Sequence, residues 1–264
     1  MENIKVTVIT VCYNAYNTIE NTITSIINQD YRNIEFIVID GNSKDKTIDI
    51  VQKYKNRINK IISEPDKGIY DAMNKGIALA TGDYCIFMNS GDSFFDYKSV
   101  SSAVPFLTEN SDIVSGIATL ENQIWYPAKE SELSLSFFVT KSLNHQATFI
   151  KTTLLKKIGY DSSLKIVADS IFFFKILILG NGSYKAIPVN IAKCEDSGMS
   201  GDREASYKEL QMAIKTLLPQ RMSKDVDFIH YYCNPAVIKI GNLLHKCKWL
   251  KKIWHFYKRH QKVR

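Results

Sequence analysis

No apolar run in this 264-residue chain approaches the roughly 18 residues that a membrane-spanning helix needs. The densest stretch, 171–179, is interrupted by Lys175. Cysteine is scarce: the thiols at 12, 85, 194, 233 and 247 include no Cys-x-x-Cys pair. That excludes a disulfide scaffold and points to reduced thiols in a cytoplasmic protein. The N-terminus lacks a basic segment, an apolar core and a small-residue cleavage site, so no secretory signal is expected. Proline and glycine never gather into a linker, and there is no internal repeat or low-complexity segment. No G-x-G-x-x-G follows the first apolar run, which disfavours a dinucleotide Rossmann site. No G-x-x-x-x-G-K-[ST] occurs anywhere, which excludes a P-loop. Finally, residues 246–264 contain no acid at all, against eight Lys and Arg.

That last absence locates the net charge of +7. The other 245 residues carry 26 basic and 27 acidic side chains, so the body is neutral and the tail basic. A nucleic-acid-binding domain, which needs a basic face on its folded body, is disfavoured. A hydrophobic content of 45% is enough for a packed core and excludes global disorder. The first hundred residues alternate two periodicities. Strands are expected at 4–12, 34–40, 60–63 and 84–88, with helices at 17–29, 44–55 and 69–80. Asn17 and Glu20 have the spacing of a capping box, and Ser43 is placed to cap the second helix. Strand 34–40 (IEFIVID) is nearly continuous in apolar residues, as a strand covered on both faces would be. This alternation predicts βαβ units and a parallel sheet. Farther on, helices are expected at 97–109, 167–179, 203–218 and 225–262, and strands at 112–118, 145–150 and 183–192. The simplest organisation is an α/β domain over 1–202 and a helical extension over 203–264.

In open parallel sheets, ligands bind beyond the carboxyl ends of the strands. The residues that fall there are Tyr13-Asn14, then Asp40-Gly41-Asn42-Ser43, then Asp66-Lys67-Gly68, then Asn89-Ser90-Gly91-Asp92. A single Asp after a strand is an ordinary cap or turn residue. Three at equivalent positions are costly together unless a cation or ligand offsets them. Carboxylate and amide oxygens suit Mg²⁺ or Mn²⁺, which bridge to substrate phosphates.

Three segments, TVITVCYNAYNTIENTITSIINQDY, EFIVIDGNSKDKT and SEPDKGIYDAMNKGIALATGDYCIFMNSGD, resemble the consecutive motifs of the family 2 glycosyltransferases, an inverting group with the GT-A fold. The resemblance is dense over 4–96 and continues through NHQATFI, VADSIFF and DSGMSG. It implies a GT-A fold: a Rossmann-like, mostly parallel sheet flanked by helices. It implies transfer of a hexose from a nucleotide-diphosphate sugar to a sugar hydroxyl, with UDP the nucleotide that family analogy favours. Thr10, Tyr13, Asn14, Asp40, Asp66 and Asn89 would bind the nucleotide sugar, Asp40 by accepting a hydrogen bond from the base. Asp92 would hold Mn²⁺ or Mg²⁺. The match to the family's D-x-D motif is imperfect, because Asn89-Ser90-Gly91-Asp92 is one residue longer and begins with an uncharged residue. Inverting displacement needs a base for the acceptor hydroxyl. The resemblance assigns that role to Asp169, with Asp161 as the fallback; Ala168 departs from the acid the family often has beside it. His145 and Gln146 would lie on the acceptor side. Gly198–Gly201 with Arg203 resembles a loop that closes on the donor diphosphate.

Two rival functions are weaker. A sugar nucleotidyltransferase needs a glycine- and arginine-rich loop after strand one, and Thr10–Ala15 has neither. A non-catalytic sugar- or nucleotide-binding module has no use for both Asp92 and Asp169. The late cysteines and histidines match no common zinc-finger spacing. Residues 247–262, wound as a helix, place Lys248, Lys251, Lys252, His255, Lys258, Arg259 and Lys262 within an arc of roughly 120°. Trp249, Leu250, Ile253, Trp254, Phe256 and Tyr257 take the other side. Aromatics opposite a basic arc suit a helix lying in an anionic membrane interface. The alternative is a helix that packs on the catalytic domain or on a second subunit. The expectation is a cytoplasmic enzyme, peripheral at the inner face of the membrane, with a polyprenyl-diphosphate-linked saccharide as acceptor. A homodimer is compatible with the same pattern.

Overall fold

The structure is a computed structural model that describes residues 4–120, 123–195 and 203–233. Its strands are β1 (Val6–Cys12), β2 (Ile34–Asp40), β3 (Lys60–Ser63), β4 (Tyr84–Phe87), β5 (Ser93–Phe94), β6 (Ile113–Leu120), β7 (Gln123–Trp125), β8 (Thr148–Lys151) and β9 (Tyr184–Cys194). They form a single sheet in the order β3-β2-β1-β4-β8-β6-β9-β5, with β7 beside β6. β1 pairs in parallel with β2 and β4, and β2 with β3. β8 runs antiparallel between β4 and β6, which reverses the chain so that β6 and β9 again point with β1. The sheet is therefore mostly parallel, as the alternating periodicities predict.

Helices α1 (Ile19–Ile27), α2 (Thr47–Lys53) and α4 (Ser99–Ala103) cover one face, where Ile19, Ile23, Ile26, Ile50 and Val51 pack on Val6, Val8, Phe36 and Val38. Helices α3 (Ile69–Leu79), α5 (Leu135–Thr140), α6 (Thr152–Ile158) and α7 (Ala168–Phe174) cover the other, over Ile9, Val11, Ile37 and Ile39. Every residue of β1 is buried, because each alternate side chain meets a helical layer. Two helices follow, α8 (Arg203–Leu217) and α9 (Gln220–Cys233). Leu210, Ile214, Leu218 and Val226 join the core of α7, so residues 203–233 share the hydrophobic interior of the sheet domain.

Several element ends differ from expectation. α1 begins at Ile19, and Asn17 does not cap it; Glu20 instead accepts from the Tyr54 hydroxyl at 2.8 Å. α2 begins at Thr47, because Ser43 is engaged at the strand ends and Asp45 takes the Thr47 amide at 2.9 Å. The helix expected over 97–109 is α4 followed by a 3₁₀ turn at Val104–Phe106. Pro105 lacks the N–H that an α-helix would use there. The strand expected at 145–150 is a 3₁₀ turn, His145–Ala147, running into β8. A π turn, Lys175–Leu179, ends the α7 segment. α5 and α6 fall where no helix is expected, in short segments whose apolar residues are too few to show a period.

Candidate active site

The carboxyl ends of β1, β2, β3 and β4 meet at one rim, and the loops leaving them are tied together by backbone amides and side-chain oxygens. The Asn14 amide donates to Ser43 Oγ at 2.9 Å, Ala15 N to Thr47 Oγ1 at 2.7 Å and Tyr16 N to Asp45 Oδ2 at 3.1 Å. In return, Lys44 N donates to Asn14 Oδ1 at 2.8 Å. Asn14 and Asn42 adopt positive φ of 49° and 64°, a conformation asparagine tolerates because its short amide bonds locally. Tyr13 stands exposed above them.

Asp40 lies beneath this surface and is fully buried. It accepts from Ser43 N at 3.1 Å, from Ser63 Oγ at 2.6 Å and from Ser43 Oγ, which binds the ends of β2 and β3 into one unit. Asp66 sits across from Gly41, where any Cβ would collide with its carboxylate, and accepts from Gly68 N at 2.9 Å. Thr10 is buried within the sheet and donates to Met88 O at 2.7 Å. Its hydroxyl thus ties β1 to the residue that follows β4.

Beyond β4, Gly91 has φ of +103°, and Glu195 occupies the space a side chain would need. Asp92 follows, buried, with Oδ1 accepting from Glu195 N at 3.2 Å and its carbonyl from Thr22 Oγ1 at 2.7 Å. Burial pushes the Asp92 carboxyl up to about 6, while the His145 charge, the Glu195 amide and the Gln146 side chain pull it partly back. Among the described residues, Asn89 Oδ1 is buried without a hydrogen-bond partner. A desolvated carboxylate beside an orphaned amide oxygen fits a hard divalent cation. Among the described residues, no three His, Cys, Asp or Glu side chains are arranged to hold a metal. Phosphate oxygens or water must complete the coordination of a metal held here.

Asp169 opens α7 and is brought to the same place. Its Oδ2 lies 2.9 Å from His145 Nδ1, and its Oδ1 accepts from the Tyr70 hydroxyl at 3.0 Å. The same hydroxyl lies 2.6 Å from Ile166 O, so its one hydrogen is shared between the carbonyl and the carboxylate. Burial opposes the charge on Asp169, but the His145 hydrogen bond and charge, the Ser170 amide and Tyr70 outweigh it. They hold the carboxyl below its ordinary range. His145 Nε2 lies 3.4 Å from Asn89 Nδ2. Asp92, Gln146, His145, Asn89 and Asp169 are therefore one connected cluster. Asp161 is elsewhere, accepting from Ser163 and lining the groove between α7 and α8. Arg203 begins α8, but its side chain, like the glycine loop 198–201, lies outside the described residues.

The chain matches the family model "Glycosyl transferase family 2" over residues 7–178. The protein belongs to glycosyl transferase family 2. A Mycobacterium tuberculosis protein named an uncharacterized glycosyltransferase is 32% identical over 216 residues, covering 76% of this chain and 79% of that protein. A Mycobacterium bovis PGL/p-HBAD biosynthesis glycosyltransferase is 30% identical over 151 residues, covering 55% of this chain and 59% of that protein. Among solved structures, Staphylococcus aureus TarS residues 1–349 in complex with UDP-GlcNAc superposes with a TM-score of 0.64 at 22% identity, covering 84% of this chain and 70% of that one. The Pyrobaculum calidifontis mannosyltransferase PcManGT, in complex with GDP-Man and Mn²⁺, gives 0.64 at 17% identity over 99% of this chain and 81% of that one. This family 2 glycosyltransferase thus has the GT-A fold that the motifs imply.

Two positions that sequence reasoning missed hold the site together. Tyr70 lies 99 residues from Asp169 along the chain, inside the quoted IYDAMNKG segment but with nothing local to reveal its partner. Glu209 of α8 accepts from Lys165 N at 2.8 Å, Ile166 N at 2.7 Å and Val167 N at 3.2 Å, which fixes the turn that launches α7.

Proposed function

We propose that this glycosyltransferase is an inverting hexosyltransferase that uses a nucleotide-diphosphate sugar, UDP-linked by family analogy, with Asp169 as general base. The observation that carries the reading is the convergence of Asp169 and Asp92 on one cluster. One carboxylate is kept ionised by donors, and the other is desolvated at the rim where a diphosphate would lie. Asp169 accepts the acceptor hydroxyl proton while that oxygen displaces the nucleotide in line at the anomeric carbon. Tyr13, Asn14, Asp66 and Asn89 frame the nucleotide and ribose, with Asp40 and Thr10 supporting them from below. Asp92 would hold Mn²⁺ or Mg²⁺, an ion that would supply charge neutralisation for a diphosphate leaving group. Arg203 is assigned to the diphosphate and Gln146 to the acceptor side. The neighbours' UDP-GlcNAc and GDP-Man support a nucleotide-sugar donor. The acceptor is a saccharide on a polyprenyl diphosphate at the inner membrane face, as in the building of O-antigen or capsule repeats.

A panel of nucleotide sugars screened with Mn²⁺ by thermal shift, then by release of nucleotide diphosphate, tests the reading. One donor is expected to raise the melting temperature and to turn over, with activity falling as acid protonates Asp169. Asp169→Asn is expected to retain donor binding and lose at least about 10²-fold in rate. Turnover within a few-fold of wild type in that variant rejects Asp169 as the base. Binding with no turnover in wild type favours a binding module instead.

A further inference from the structure

His145 touches the candidate base on one side and the donor-side loop on the other, and its seat is built by the backbone. It opens the short 3₁₀ turn His145–Ala147, which Asn144 caps by accepting from Ala147 N at 3.0 Å. The Thr148 hydroxyl donates to Asn144 O at 2.6 Å, fixing the same turn from β8. An ionised carboxylate only accepts hydrogen bonds, so the 2.9 Å contact requires the proton on Nδ1. Asp169 is then gripped from both sides, by the imidazole at Oδ2 and the Tyr70 phenol at Oδ1. Each oxygen keeps a lone pair for an incoming hydroxyl proton.

The other ring nitrogen faces Asn89. A neutral imidazole accepts at Nε2 from the Asn89 amide. An imidazolium donates there, and a half-turn of the carboxamide brings the orphaned Oδ1 to meet it. The charged groups facing the ring are Asp169 from α7 and Asp92 from the β4–β5 loop.

We propose that His145 is a positioning residue: it orients the Asp169 carboxylate through Nδ1 and, through Asn89, holds that base in register with the loop that carries Asp92. The assignment rests on Asp169 being the base and goes beyond a place on the acceptor side. An acceptor contact acts on acceptor affinity, whereas a positioning residue acts on the rate and on the pH at which the base works.

The test uses the full-length protein with Mn²⁺ and UDP-GlcNAc, or GDP-mannose if that is the donor turned over. Rates are measured across pH for wild type, Asp169→Asn, His145→Ala and His145→Asn. His145→Asn keeps an N–H near the Nδ1 position. His145→Ala is expected to lower kcat by about tenfold to a hundredfold, the range for a slightly misplaced reacting group. The donor KM is expected to stay within a few-fold. The acidic limb of the rate profile is expected to move to higher pH, because Asp169 loses the donor that favours its charged form. His145→Asn is expected to restore most of the rate. An unchanged kcat and acidic limb in His145→Ala, or a loss confined to acceptor KM, overturns the proposal while Asp169→Asn remains inactive. An active Asp169→Asn enzyme overturns the base assignment itself, a separate result. If His145→Ala fails to fold, His145→Phe keeps the ring volume without the N–H, and the same outcomes are read from it.

Discussion

Asp92 is a charge held where solvation is poor, and that has a cost in the metal-free protein. Its carboxyl titrates near 6, above the ordinary value of about 3.9 for an exposed aspartate. Below the ordinary value both folded and unfolded chains are protonated, and the cost vanishes. As pH rises through the interval, the unfolded chain ionises first and stability falls; above 6 the loss is complete. At 1.36 kcal/mol per unit it amounts to roughly 3 kcal/mol. In chelator-treated protein at pH 7, Asp92→Asn is therefore expected to melt higher than wild type, while its metal-supported turnover is nearly abolished. Urea unfolding at pH 4 and pH 7 checks the first half: an equal gap between the two proteins at both pH values removes the desolvation argument. The Asp169–His145 pair has the opposite character. Asp169 is depressed and His145 raised. Their mutual stabilisation is lost as acid protonates Asp169, and lost again as rising pH takes the proton from His145.

At the scale of elements, α3 connects the strand ends to the base. It lies close on β1 because Gly76 has no side chain: a Cβ there would sit 2.5 Å from Ile9 Cγ2. The first turn of the same helix carries Tyr70, whose ring packs against Tyr160 at 5.7 Å between centroids, within a cluster that includes Phe87 and Phe172. Gly76→Ala is expected to push α3 off the sheet and cost about 1–3 kcal/mol, the usual penalty of overpacking. Because Tyr70 moves with the helix, the rate is expected to fall along with stability. Denaturant unfolding and donor turnover on the same variant check it; wild-type stability there would mean that Ile9 yields without displacing α3. This coupling was only partly legible in the sequence. The GIYDAMNKG segment has a helical period that marks α3, but nothing in it says which strand the glycine meets. α5 and α6 were not legible, because helices of six and seven residues offer fewer than two turns in which an apolar period could repeat.

At the scale of the whole molecule, the decisive feature is the separation of charge. A body with a balance of −1 carries a tail with eight basic residues and no acid over 246–264. That segment lies outside the described residues, and among those described no helix is long and apolar enough to cross a membrane. We propose that the tail binds an anionic surface, with each basic residue contributing about 1 kcal/mol near such a surface and the aromatic side chains adding burial. Deleting 246–264 is expected to abolish co-sedimentation with phosphatidylglycerol-containing vesicles and to reduce activity on lipid-linked acceptors. Binding of the soluble donor is expected to be unchanged. Equal sedimentation of truncated and full-length proteins would leave the tail to pack on the domain or on a second copy.

Sequence alone determined the elements that are periodic or motif-bearing: the four β-branched strands, the helices between them, and the polar residues placed just beyond each strand. These are legible because burial on both faces writes a continuous apolar run, and because a residue following a parallel strand must reach the same rim as its neighbours. The tertiary structure alone decided what those residues touch. Asp40 and Thr10 are fully buried, and their side-chain oxygens are bonded to Ser43, Ser63 and Met88, contacts that no local pattern records. The pairing of His145 with Asp169 spans 24 residues, and that of Tyr70 with Asp169 spans 99. Such contacts depend on the antiparallel entry of β8 between β4 and β6 and on the seating of α7 by Glu209. No local pattern records either, since each is fixed by packing between segments distant in the chain.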